Sequence, residues 1–130
     1  MRILIAEDDM TSRQFLRKYL SKYGECDIVV DGMEALDAYM ISLKDDKPYD
    51  LICLDIMMPK VDGVKVLKNI RDMENQKKIP DDKKAKIIMT TALAETRFVQ
   101  QAYEFGCNAY AAKPIDLVKF DDLLKNLGLI

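Results

Sequence analysis

The chain has 130 residues, 49% hydrophobic and 32% charged, which suits one self-sufficient globular domain and excludes a disordered segment or a membrane bundle. Lys plus Arg number 20 and Asp plus Glu 22, and a net charge of −2 argues against counterion-driven binding to nucleic acid or acidic lipid. Histidine is absent, which removes Ser-His-Asp and Cys-His nucleophile pairs, imidazole metal ligands and an imidazole pH switch.

Arg2 to Ala6 reads as a short buried strand and ends at Glu7-Asp8-Asp9, too short for a signal peptide or a membrane span. A helix follows, with Phe15, Leu16, Tyr19, Leu20 and Tyr23 on one stripe and Gly24 at its end. Cys26 to Val30 is the second strand, and Met33 to Lys44 a helix with Leu36, Tyr39, Met40 and Leu43 inward; Pro48 bars its continuation. Tyr49 to Leu54 is the third strand. A loop with Met58-Pro59 and Asp62-Gly63 leads to a helix whose apolar face is Val66, Leu67 and Ile70.

Asn75 to Lys86 is polar and lysine-rich, a solvated loop with a frayed extension of the third helix. Ile87 to Thr90 forms the fourth strand, and Ala94, Phe98, Ala102 and Phe105 recur at helical spacing before Gly106. Ala109 to Ala112 is a fifth strand, and Asp116 caps a last helix carrying Leu117, Phe120, Leu124 and Leu127. Five strands, five helices and short connections use the whole chain as one domain, residues 1–130, and leave no room for an output domain. Strict β-α alternation implies an α/β fold, a parallel sheet with right-handed crossovers and helices on both faces. Cys26, Cys53 and Cys107 are odd in number and form no CxxC spacing, so reduced thiols and a cytoplasmic location are expected.

Ligands of such a sheet bind at the carboxyl ends of its strands. Glu7-Asp8-Asp9 follows the first strand, Asp55 the third, Thr90-Thr91 the fourth and Lys113-Pro114 the fifth. Each alone fits a plainer role: Asp8 or Asp9 as a helix cap, Asp55 as a turn opener, Thr91 as a cap, Lys113 as a surface lysine. Caps do not require two adjacent acids, a third two strands later and a lysine on the same rim.

The ordered set of Glu7-Asp8-Asp9, the run from Asp55 through Met57, Pro59 and Lys60 to Asp62-Gly63, Thr91-Ala92, and Tyr110-Ala111-Ala112-Lys113-Pro114 resembles the receiver domain of two-component response regulators. The likeness to this CheY-like family covers residues 1 to 128. It implies a flavodoxin-like five-stranded sheet of order 2-1-3-4-5 and a cis peptide at Lys113-Pro114. It also implies that Asp55 accepts a phosphoryl group. By the same resemblance Asp9 and Asp55 would coordinate a metal directly, Asp8 would act through water, and the Met57 backbone carbonyl would add a ligand. Two carboxylates about 4 Å apart repel by roughly 4 kcal/mol at an effective dielectric near 20, so the rim demands a cation. A hard ion that takes oxygen ligands and retains waters fits, which points to Mg2+.

Lys113 would then supply a compact positive charge and Thr91 a hydroxyl donor to the phosphoryl oxygens. Since the chain lacks histidine, a phosphohistidine donor belongs to a partner, a sensor histidine kinase or a histidine phosphotransfer protein. Thr91 and Tyr110 are the expected switch, altering the surface of the fourth helix, fifth strand and fifth helix for a downstream protein in chemotaxis or phosphorelay. Met57 and Leu93, apolar where many relatives carry polar groups, predict a long-lived phosphoryl group. The main alternative is a receiver-like interaction module without phosphotransfer. An aspartate-nucleophile phosphatase lacks its second acid, because that position is Met57, and a flavodoxin-like carrier would need a phosphate loop where this chain has acids.

Overall fold

The computed structural model describes the backbone of residues 1–130 and every side chain except those of Leu93 and Ala94. Strands β1 (Arg2–Ala6), β2 (Glu25–Val29), β3 (Leu51–Asp55), β4 (Lys86–Thr91) and β5 (Ala109–Ala112) alternate with helices α1 (Met10–Leu20), α2 (Gly32–Lys44), α3 (Gly63–Gln76), α4 (Val99–Glu104) and α5 (Leu117–Asn126). All neighbouring strands are parallel, in the order β2-β1-β3-β4-β5. Because β1 lies between β2 and β3, the chain winds away in opposite directions there and opens a crevice beyond the carboxyl ends of β1 and β3.

Side chains alternate between the two faces of each strand, which divides the core in two. Leu4, Ala6, Ile52, Leu54, Ile87 and Met89 pack under α2, α3 and α4 with Tyr39, Leu67, Ile70 and Ala102. Ile3, Ile5, Leu51, Cys53, Ile88 and Ala109 pack under α1 and α5 with Leu16, Leu20, Phe120 and Leu124. Burial of the sheet on both faces explains why its central strands read as continuous apolar runs. Among the described residues, no helix is long and apolar enough to cross a membrane.

Four local expectations change. Phe15 and Met40, expected inward, are exposed, each one residue and so about 100° of helix from a buried neighbour, Leu16 or Tyr39. Leu117 is exposed because it opens α5 and its side chain leans toward the helix start. The expected fourth helix divides into a 3-10 stretch, Leu93–Phe98, and the short α4. Ala92 has no side-chain oxygen to cap an α-helix there; instead the Glu95 carboxylate accepts from the Ala92 N–H at 3.1 Å. The expected packing role of Ala94 and the position of the Leu93 side chain lie outside the described residues. The polar 75–86 segment holds the end of α3 and a 3-10 turn, Asp81–Lys83, consistent with a frayed helical extension.

Candidate functional site

The strand ends deliver their polar residues to one crevice. Glu7 follows β1 and is fully buried, its N–H donating to the Val29 carbonyl at 3.1 Å. Asp55 closes β3 and is 3% exposed. Lys113 follows β5, held by its N–H on the Thr91 carbonyl at 2.8 Å and by the expected cis bond to Pro114. The Lys113 ammonium stands 2.5 Å from Glu7 Oε1 and 3.3 Å from Asp55 Oδ2, one cation bridging two carboxylates.

The carboxylates of Glu7, Asp8 and Asp55 each bring an oxygen within 4.8 Å of the others. This moves the acidic pair by one residue. Asp9, expected as a direct metal ligand, turns its carboxylate to the start of α1 and accepts the Ser12 N–H at 2.9 Å. The physical reason is where β1 hands over to α1: Glu7 continues the side of Ile3 and Ile5, while Asp9, which strand parity alone would place with it, has already become the N-cap of α1. The parity that points to Glu7 is readable from the sequence; the point of handover is not. The Arg13 guanidinium secures the turn by donating to the Glu7 and Asp8 carbonyls, both at 3.2 Å.

The loop from Ile56 to Asp62 carries Met57, which is 48% exposed beside the acceptor strand. Its base is tight: the Ile56 N–H donates to the Thr90 carbonyl at 3.2 Å, and the Gly63 N–H to the Ile56 carbonyl at 2.7 Å. A Cβ on Gly63 would lie 2.0 Å from the Asp55 carbonyl oxygen, so only glycine allows α3 to start this close to the strand. Asp62 caps α3 by accepting the Lys65 N–H at 3.0 Å.

Thr91 is buried, and its hydroxyl donates to the Ala92 carbonyl at 3.0 Å. Tyr110 is 43% exposed and meets Tyr103 edge to face at 6.3 Å.

The electrostatics follow from burial. Desolvation, reinforced by the neighbouring Glu7, pushes the Asp55 carboxyl well above the ordinary carboxylate range. Burial also works against ionised Glu7, but hydrogen bonds with Asp55 and Lys113 outweigh it and hold Glu7 low. Burial opposes the Lys113 charge as well, yet its two carboxylate partners keep the ammonium pKa raised. Glu7 and Asp55 therefore titrate as a pair that disfavours two simultaneous negative charges. Asp55 Oδ1 is buried without a hydrogen-bond partner, whereas Glu7 Oε1 is paired with the Lys113 ammonium. An unpaired buried oxygen and an all-oxygen donor set match a hard divalent cation such as Mg2+.

A family model for the response regulator receiver domain matches residues 3–125. The chain belongs to this family. As a receiver domain of two-component signalling, it is 31% identical to the chemotaxis protein CheY of Treponema pallidum over 120 residues, 91% of this chain and 76% of that one. It is also 31% identical to the polar-differentiation response regulator DivK of Brucella ovis over 125 residues, 95% of this chain and 93% of that one. The receiver spans 55% of the length of the probable transcriptional regulator ycf29 of Porphyra purpurea, and 7% of the hybrid signal transduction histidine kinase L of Dictyostelium discoideum. Among solved structures, it is similar to the CheX-CheY-BeF3-Mg complex from Borrelia burgdorferi, with a TM-score of 0.81, 27% identity and coverage of 98% and 89%. The complex of the phosphotransfer protein Ypd1 with the receiver domain of Ssk1 from Saccharomyces cerevisiae matches with a TM-score of 0.78, 25% identity and coverage of 96% and 87%.

Proposed function

We propose that this receiver accepts a phosphoryl group on Asp55 from a partner's phosphohistidine, a sensor kinase or a phosphotransfer protein. The observation that carries this reading is Asp55 itself, a 3% exposed carboxylate facing Lys113 at 3.3 Å with its second oxygen unpartnered. An Asp55 oxygen attacks phosphorus, the O–P bond of an acyl phosphate forms as the donor's N–P bond breaks, and the departing imidazole takes up a proton. Asp8, Asp55 and the Met57 backbone carbonyl would hold Mg2+, with Glu7 beside them. When bound, the ion offsets the carboxylate repulsion and the charge of the incoming phosphoryl oxygens. Lys113 pairs with a further phosphoryl oxygen, and the Thr91 hydroxyl rotates from the Ala92 carbonyl to donate to another.

The phosphoryl group replaces a single carboxylate charge with about −1.5 to −2 and brings three acceptor oxygens. Movement of Thr91 leaves space into which Tyr110 turns, remodelling the surface of α4, β5 and α5 that a downstream protein reads. Apolar Met57 beside the acceptor favours slow hydrolysis. The test is incubation with acetyl phosphate and Mg2+ followed by intact-mass measurement. One added phosphoryl group on the native chain and none on Asp55→Asn is the expected result. A folded native chain that gains no mass overturns the reading in favour of a receiver fold used as an interaction module.

A further inference from the structure

Thr90 carries a hydroxyl that the proposed chemistry does not use. Strand register places Asp55 opposite Thr90 and Thr90 opposite Ala111. Partners on neighbouring parallel strands project to the same side of the sheet. That side is the α1/α5 face, because Cys53, Ile88 and Ala109, each two residues before the trio, belong to its core. Thr91, one residue on, projects to the opposite side. The two threonines are therefore not interchangeable.

Thr90 is 1% exposed, and its Oγ1 has no hydrogen-bond partner in the protein. A buried hydroxyl left unpaired costs stability, so its presence calls for a compensating use. On one side Ala111 offers only a methyl, and two residues back along β4 stands Ile88. On the other side is Asp55, whose Oδ2 faces Lys113 while its Oδ1 is buried and unpartnered. A potential donor and a potential acceptor, both unsatisfied, thus occupy the same level of strands that run about 4.8 Å apart.

We propose that Thr90 is a positioning residue whose hydroxyl donates to the Asp55 carboxyl during phosphoryl transfer, holding it in line. The proposal rests on the reading of Asp55 as the acceptor. A purely packing role would be filled equally well by valine, which keeps the branched shape and carries no unpaired oxygen.

Native chain, Thr90→Val and Thr90→Ser are compared with acetyl phosphate and saturating Mg2+, following phosphoryl uptake by mass and melting temperature without metal. Thr90→Ser is expected to stay within about twofold of the native rate and Thr90→Val to fall about tenfold, as loss of a hydrogen bond to a charged group implies. The metal-free melting temperature of Thr90→Val should equal or exceed that of the native chain. A native rate in Thr90→Val overturns the proposal. So does Thr90→Ser as slow as Thr90→Val, which assigns the effect to the methyl, or a lower melting temperature in Thr90→Val, which means the hydroxyl is already bonded within the fold. No uptake by the native chain overturns the acceptor reading itself, and this proposal with it.

Discussion

Asp8 and Asp9 are adjacent acids with separable duties, one facing Glu7 and Asp55 and the other capping α1. Asp8→Ala is expected to abolish Mg2+-dependent changes in tyrosine fluorescence while leaving the melting temperature near native; Asp9→Ala should lower the melting temperature and retain the metal response. Asp55 works against the metal-free fold. Its raised pKa means that the native state binds a proton the unfolded state releases, so its effect is neutral below the unfolded carboxylate pKa and stability falls as pH rises through the window up to the raised value. Asp55→Asn, which mimics the protonated form, should therefore raise the metal-free melting temperature by several degrees at neutral pH, as about 1 kcal/mol or more would in a domain of this size. The gain should vanish near pH 3.5. A gain that persists in acid would contradict this account of Asp55.

Between elements, a buried polar network away from the crevice ties α3 to the other ends of β4 and β5. Glu74 is fully buried and accepts from the Tyr39 hydroxyl at 2.7 Å, the Ala85 N–H at 2.9 Å and the Arg71 guanidinium at 2.6 Å. Arg71 also donates to the Gly106 and Ala85 carbonyls and to Asn108 Oδ1, which in turn accepts the Ile87 N–H at 2.7 Å. This network fixes where β4 and β5 begin and leaves their carboxyl ends to be set by Ile56, Thr91 and Lys113. Arg71→Ala should cost about 3–5 kcal/mol in urea unfolding, because it strands a buried carboxylate. Phosphoryl uptake by the fraction that remains folded should be close to native, since the network lies at the opposite end of the sheet.

For the whole molecule, a cation held by the proposed ligands would offset the repulsion within the crevice and so link metal binding to folding. Mg2+ at 100 times its dissociation constant should raise the unfolding free energy by about 2.7 kcal/mol, and Asp8→Ala should remove that increment. Ca2+ or Mg2+ leaving the native unfolding curve unchanged would exclude a metal at Glu7, Asp8 and Asp55. Shifting a switch from 1:99 to 99:1 requires about 5.5 kcal/mol of differential stabilisation, a large demand on one modification. On the proposed function, partner binding at the α4, β5 and α5 surface would supply the remainder.

The β-α alternation, the apolar strands and the punctuation at Gly24, Pro48 and Gly106 are local properties, and they were sufficient to read the layered α/β architecture and the rim on which Asp55, Thr91 and Lys113 stand. Strand order came by resemblance to a family, since period and spacing carry no information about which strands pair. Helix facing was legible to within one residue, and Phe15 and Met40 fell on the wrong side of that margin because a 100° step separates buried from exposed. The membership of Glu7 and the withdrawal of Asp9 to a cap depended on how β1 hands over to α1, and the solitary hydroxyl of Thr90 on its register with Asp55. Local patterns specify what each segment becomes; only packing of distant strands decides which oxygens meet, because their proximity is a property of pairs far apart in the chain.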